Sequence, residues 1–335
     1  MVELIPAERI TEAASRIRPH VLRTPTVPSP GLAEVLGVPV ALKLETLQHS
    51  GSFKPRGIAN RLLSLSPSEL AAGLVTVSGG NHGIALAAMA ARTGVRATVV
   101  MPAKAPARSA ARVRASGAEL VLTPDVGAAF DVAEQRRQAG MTYVDPLGDP
   151  AIVAGHGTAG AEFVADRPDL TDVLVSIGGG ALISGVATAI KAAKPGVRIW
   201  GVETVGAESM SRALAAGHPV RVDVTSISTT LGAPTVTELT LAHVRAYVEE
   251  VLVVSDAEAV DGVLTVAEEA KLWLEPAAGC LLPAARRVVE RVGADAVLGL
   301  LCCGGNVTVP DVLGWAARTG ARPELLAPPQ GSARH

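Results

Sequence analysis

Apolar residues in this chain recur in two rhythms. Compact apolar runs at 40–45, 74–78, 97–101, 120–122, 173–177, 198–203, 251–254 and 297–301 read as strands. Between them, apolar positions return every three to four residues, the period of a helix with one buried face. Such stretches fall at 6–18, 58–65, 107–116, 127–138, 151–165, 207–216, 257–270 and 277–292. Two more helices follow glycine turns and end near Arg92 and Lys191. A short helix at 67–71 is marked by Ser66 as N-cap, Pro67 in its first turn and Glu69 closing a capping box. Strand and helix alternating at this length imply right-handed crossovers and mostly parallel sheets, an α/β fold. The turn-rich segment 145–150 can return the chain to another domain, and Gly155 and Gly157 weaken the start of the helix after it.

Residues 173–190 carry no charge and are long enough to suggest a membrane span. The triple glycine at 178–180 argues instead for a buried strand, a turn and a buried helix. With 335 residues the chain has room for two domains. A 48% hydrophobic content and a net charge of -2 describe a soluble globular protein with neither membrane nor nucleic acid as partner. Aromatics at 2% leave no platform for stacking bases. The N-terminus lacks a basic, signal-like start, and the cysteines (Cys280, Cys302, Cys303) are odd in number, two of them adjacent. Both features suggest a cytoplasmic protein without a disulfide framework.

Candidate chemistry gathers at Ser50-Gly-Ser-Phe-Lys-Pro-Arg-Gly57, between a strand and a helix. Of the lysines (43, 54, 104, 191, 194 and 271), only Lys54 sits between glycines and beside a buriable aromatic, Phe53. A desolvated lysine at a helix N-terminus has a depressed pKa and forms Schiff bases, so Lys54 is the candidate carrier of pyridoxal phosphate. Gly178, Gly179, Gly180, Ala181 and Leu182 follow a strand and open a helix, a place where backbone amides close around a phosphate; the same turn would also serve to pack helix on strand. Its glycine spacing does not match a dinucleotide fingerprint, although Glu203 lies at the end of the next strand. A second strand-to-helix turn, Ser78-Gly-Gly-Asn-His-Gly83, offers Ser78, the amide of Gly79 and the side chain of Asn81 to a substrate carboxylate or a ring hydroxyl. His82 reads first as a packing or capping residue. Of Cys302 and Cys303, only one can face a site from a strand, and the following glycine favours Cys303. Glu275 fits either first-turn helix electrostatics or a supporting role at a site.

In order along the chain, these segments resemble the fold type II pyridoxal phosphate enzymes of the threonine/serine dehydratase and serine racemase group. The resemblance also rests on Gly155-His-Gly-Thr158, Gly201-Val-Glu203, Glu275-Pro-Ala-Ala-Gly279 and Cys303-Gly-Gly-Asn306. It implies two open, twisted, mostly parallel sheets of the kind in the tryptophan synthase beta subunit. Residues 1–49 and 146–325 would form a large cofactor-binding domain, 50–145 a small inserted one and 326–335 a flexible tail. It implies that Lys54 binds the cofactor covalently, Phe53 flanks its ring, Asn81 meets its hydroxyl, residues 178–182 hold its phosphate and Cys303 faces its ring nitrogen. Ser78, Gly79, Asn81 and His82 would meet the amino-acid substrate. A homodimer or homotetramer is the assembly it suggests.

The chain departs from the group in ways that shape the reading. Gly79 stands where racemases carry a serine that acts as acid and base on the second face, so elimination is expected over racemisation. A cation-binding pattern survives only as Glu203 and Ala207, with Ser209 in place of a carboxylate, which weakens a hard-cation site. Thr229-Thr230 replaces an acidic residue and glycine, and His156 replaces a glutamine. The expected activity is an ammonia-lyase converting L-threonine or L-serine to a 2-keto acid and ammonia. Serine racemisation, or dehydration of 3-hydroxyaspartate or an aryl-serine, are the alternatives.

Overall fold

Two separate sheets realise the alternation of strand and helix. The structure is a computed structural model that describes residues 2–322, so the tail expected at 326–335 lies outside the described residues. The chain opens with α1 (Ala7–Ile17), β1 (Thr26–Pro28), α2 (Pro30–Leu36) and β2 (Val40–Leu44). Helices α3 (Lys54–Leu62) and α4 (Pro67–Ala72) lead into β3 (Leu74–Val77), α5 (Asn81–Thr93), β4 (Ala97–Pro102) and α6 (Ala107–Ala115). Next come β5 (Glu119–Thr123), α7 (Val126–Gln138) and β6 (Thr142–Tyr143). Strands β3 to β6 form a parallel sheet in the order β5-β4-β3-β6.

Helix α8 (Pro150–Asp166) carries the chain to β7 (Asp172–Ser176), α9 (Ala181–Ala193), β8 (Arg198–Thr204) and α10 (Ser209–Ala216). Then follow α11 (Glu238–Tyr247), β9 (Glu250–Val254), α12 (Asp256–Ala270), α13 (Pro276–Gly279), α14 (Leu281–Val292), β10 (Leu298–Cys302) and α15 (Val309–Thr319). The second sheet has the order β1-β2-β10-β7-β8-β9, with only β1 antiparallel. Its strands β2, β7 and β10 are buried along their whole length, which is why they read as unbroken apolar runs. Among the described residues no helix is long and apolar enough to cross a membrane. The uncharged stretch 173–190 divides into β7, the glycine turn and α9.

Some elements differ from the sequence reading. Strands β1 and β6 are too short for a periodic signal. Helices α11 and α15 open with capping boxes whose second members are Thr240 and Asp311, not the glutamate or glutamine that marks such a start. Helix α4 carries the box expected from Ser66 and Glu69. The helix expected at 277–292 is two, α13 and α14, that meet at Cys280.

Gly155 and Gly157 weaken no helix: α8 runs unbroken through both, because tertiary contact outweighs propensity. A Cβ at Gly155 would lie 2.5 Å from the Arg56 carbonyl oxygen and 2.6 Å from the Gly57 Cα. One at Gly185 of α9 would lie 2.6 Å from the Gly157 nitrogen. Missing side chains thus let α8 meet α3 and α9 backbone to backbone. Gly155→Ala should therefore destabilise the fold by about 1–3 kcal/mol, the range for overpacking. The check is a lower denaturant midpoint with an unchanged slope.

Candidate active site

The lysine segment is docked on the C-terminal end of β10. Ser52 pairs with Gly304 in an isolated bridge, Phe53 N–H donates to the Cys303 carbonyl at 3.0 Å, and Gly305 N–H donates to that of Gly51 at 3.0 Å. Helix α3 begins at Lys54 itself, with Phe53 as N-cap and Pro55 in its first turn, four residues earlier than its apolar periodicity suggests. Proline fits there because first-turn amides need no intrahelical acceptor.

Two residues on, Arg56 is fully buried. Its Nε and Nη2 donate to Glu45 at 2.8 Å each; Nη1 and Nη2 donate to Glu162 at 2.8 and 2.7 Å. Lys43, also buried, donates to the same Glu162 at 2.6 Å. Burial alone would lower the Arg56 pKa, but the two carboxylates outweigh it and hold the guanidinium charged.

Lys54 has no carboxylate within ion-pair distance among the described residues. Burial lowers its pKa to about 8, against the opposing pull of Cys303, Asp145 and Glu275. Its Nζ lies 4.8 Å from the centre of the Phe53 ring, and that ring meets His156 edge-on at 4.6 Å between centroids. His156 Nδ1 accepts from Gly57 N–H at 3.2 Å. Burial, then Lys54, holds the pKa of His156 far down and that of His82 at about 3, so both rings are neutral. His82 Nε2 lies 3.3 Å from the Val144 carbonyl oxygen, in keeping with a packing residue.

Glu275 is the hub at the seam between the two sheets. It accepts from Asn81 Nδ2 at 2.9 and 3.1 Å, from the Thr230 hydroxyl at 3.1 Å and from Asn306 N–H at 3.4 Å. Burial raises its pKa against those donors and Lys54. Asn306 closes the ring by donating to Asn81 Oδ1 at 2.7 Å and to the Ser50 carbonyl at 2.9 Å. Of the supporting role and the helix-start role open to Glu275, the structure displays both: it precedes α13 and its carboxylate faces Asn81. Thr230 and Asn306 gain contacts that sequence spacing alone did not give them, although Asn306 belongs to a glycine-rich motif. Ser78 Oγ accepts from Gly80 N–H at 3.3 Å, within its own turn. A Cβ on Gly79 would lie 2.9 Å from Ala105 Cβ.

The glycine turn 178–180 ends β7 and opens α9. Gly180 is its N-cap at φ +90°, and no side chain caps the helix, which leaves its first-turn amides for another acceptor. Leu231 lies over Gly178, one residue from Thr230, and so joins this turn to Glu275. Ser176, two residues before the turn, and Cys303 share the Ala277 carbonyl; the Cys303 Sγ contact is 3.7 Å. Burial, then Glu275, raises the Cys303 pKa well above its ordinary value and keeps a neutral thiol. Cys302 is buried and has Leu300 as its hydrogen-bond partner. Uncapped amides suit a phosphate, Asn81 a ring hydroxyl, Cys303 a ring nitrogen and a weakly basic Lys54 an aldehyde. This donor set fits pyridoxal phosphate.

Glu203 stands elsewhere. Its carboxylate is buried and caps α10, accepting from Met210 N–H at 2.8 Å, Ser211 N–H at 2.9 Å and the Ser211 hydroxyl at 2.6 Å. Burial pushes its pKa up to about 7. Among the described residues no group of three acidic, histidine or cysteine side chains could hold a metal ion. The retained Glu203 and Ala207 are accounted for as helix cap and core.

Residues 17–304 match the model of a family described as pyridoxal-phosphate dependent enzyme. An L-threonine ammonia-lyase of Geobacter sulfurreducens is 37% identical over 317 residues, 92% of this chain and 77% of that protein. One from Thermotoga maritima is 35% identical, covering 91% and 77%. The solved structure of maize serine racemase superposes with a TM-score of 0.87 at 29% identity, over 97% of this chain and all of that one.

The lowered pKa of Lys54 has a direct readout. Only the neutral amine reacts with an acylating reagent, so labelling of Lys54 in cofactor-free protein should rise about tenfold per pH unit below 8 and level off above it. Peptide mapping across pH checks this; a midpoint near that of an exposed lysine would contradict it.

Proposed function

The chain belongs to the pyridoxal-phosphate dependent enzymes, and on that footing we propose that it is an ammonia-lyase for 3-hydroxy amino acids, with L-threonine and L-serine its first substrates. The observation that carries the reading is Lys54: a desolvated amine with a pKa near 8, at the start of a helix docked on the C-terminal end of β10, with no carboxylate in contact among the described residues.

Pyridoxal phosphate, when bound, supplies an electron sink for bonds breaking at the substrate Cα. The residues that would hold it are the amides of 178–182, Asn81, Cys303 and Lys54, with Phe53 against its ring. Every other task falls to side chains and backbone of this chain. With its pKa near 8, Lys54 Nζ has a substantial neutral fraction near neutral pH and takes the Cα proton as a general base. Amides of the 78–82 turn, at the N-terminus of α5, orient the substrate carboxylate. Cys303 stays a neutral thiol and gives no proton to a ring nitrogen, which favours elimination, where the leaving hydroxyl takes the electrons. Gly79 offers no proton to the opposite face, and Ala105 occupies the space a serine there would need. That observation separates this reading from the racemase one.

The reaction gives a 2-keto acid and ammonia. Purified holoenzyme should release keto acid from L-threonine and L-serine, with no D-serine by chiral chromatography. Lys54→Ala should lower kcat by roughly 1,000-fold, the scale of a lost general base. Cofactor bound at wild-type occupancy without keto acid from any 3-hydroxy amino acid would overturn the reading.

A further inference from the structure

Two buried histidine rings near Lys54 each keep one nitrogen idle. Both rings are neutral, so each carries one proton, and the hydrogen-bond partners fix where it sits. His156 Nδ1 accepts from Gly57 N–H, so the proton of that ring is on Nε2. His82 is the reverse. Its Nε2 meets the Val144 carbonyl, which can only accept, so Nε2 carries the proton and Nδ1 is a bare lone pair. The Thr76 hydroxyl donates to the same carbonyl at 2.9 Å and holds it in place. His82 is 4% exposed, and its Nδ1 has no partner among the described residues. Packing thus accounts for one nitrogen of this ring and not for the other. A buried acceptor costs free energy until something donates to it. Lys54 is the one charged group acting on the ring, and Asp145, the residue after Val144, acts in turn on Lys54.

The missing donor is close at hand. Lys54 Nζ ends a flexible four-carbon stem, with no carboxylate in ion-pair contact among the described residues. The groups that face it are Cys303 from the end of β10, Asp145 from the loop after β6, Glu275 from the start of α13, and the two rings. Glu275 is occupied by Asn81, Thr230 and Asn306, and Asp145 accepts from the Leu147 and Gly148 amides at 3.0 Å each. The Cys303 thiol is neutral, and His156 presents an N–H and cannot accept. Among these groups, His82 Nδ1 is the nitrogen or oxygen acceptor to which nothing donates. His82 also lies in the first turn of α5, within the 78–82 turn that orients the substrate carboxylate, so an amine held there is beside Cα. We propose that His82 is a positioning residue: its Nδ1 accepts an N–H of the Lys54 amine whenever that amine is not bonded to the cofactor, and so holds it for the proton on Cα. This rests on the ammonia-lyase reading of the site. The Cα–H bond breaks, an Nζ–H bond forms, and the electron pair departs with the β-hydroxyl. The proton stays on Nζ, because a ring with a pKa of about 3 accepts the hydrogen bond without taking the proton.

The test sets one kind of acceptor at two depths. Asparagine places its side-chain oxygen where Nδ1 stands, and glutamine places it one bond farther out. In cofactor-free protein the midpoint of Lys54 acylation should stay near 8 in His82→Asn. It should fall by about one pH unit in His82→Gln, the weight of a charge-assisted hydrogen bond. The sign follows from the acceptor: it favours the charged amine, so its loss lowers the pKa. Equal midpoints in the two variants overturn the pairing. In holoenzyme, kcat for L-serine should fall roughly 10- to 100-fold in His82→Gln, the cost of a misplaced base, with KM little changed and His82→Asn close to the wild type. An unmoved kcat in His82→Gln overturns the positioning. Nitrogen NMR of cofactor-free wild-type protein, labelled at its seven histidines, needs no variant to fold. Below pH 8 the His82 Nδ1 signal should move toward the protonated range as the ammonium donates to it, while Nε2 keeps its proton. A signal flat through that range, or a proton resident on Nδ1, overturns the proposal. Keto acid absent from every form, wild type included, removes the ammonia-lyase reading, and the cofactor-free labelling and spectra still decide the pairing.

Discussion

A guanidinium with no path to water dictates the centre of this molecule. Charge on Arg56 is tolerable only because two carboxylates meet it in paired geometry, one from the turn after β2 and one from α8. Removing one partner from such a buried group costs about 3–5 kcal/mol, so the three segments are held as a unit. Lys43 and Thr24 extend the unit to the sheet edge. The start of α3 follows from this anchoring. Lys54 is carried two residues upstream of the anchor, and its direction is inherited from it.

The same neighbourhood treats two cations in opposite ways. Arg56 gets its counter-charges and stays ionised. Lys54, a short distance along the chain, gets none in contact, and burial drives its amine toward neutrality. Glu275 supplies a moderate, shared negative charge, spread over Asn81, Thr230 and Asn306. A strong ion pair with Lys54 would abolish its use as a base. The geometry avoids that by giving the carboxylate other donors.

Much of this was legible in the sequence, for identifiable reasons. Buried parallel strands leave unbroken apolar runs, and glycine turns after them mark helix starts, so the sheets and the 178–182 and 78–83 turns could be read directly. Lys54 stood out because its glycine and aromatic neighbours are unlike those of the other lysines. Long-range partnership was not legible. Nothing local ties Arg56 to Glu162, or Arg112 to Asn306, across 106 and 194 positions. Glu203 shows the same limit: the sequence read it as the remnant of a weakened cation pattern at a strand end, and its neighbours in space, the amides at the start of α10, could not be read from that pattern. Gly155 and Gly157 misled because helix propensity is a local quantity and their purpose is contact with another helix.

The backbone contact between α3 and α8 has a mechanical consequence. Helices separated by side chains can slide, because rotamers adjust; helices that touch through glycine and carbonyl oxygen have no such bearing. With its front edge laced to β10 and its back pressed on α8, the lysine segment has little room to slide against either. The root of the Lys54 side chain is thus seated by backbone on two sides, and its position does not depend on the rotamer of any neighbour that packs beneath it.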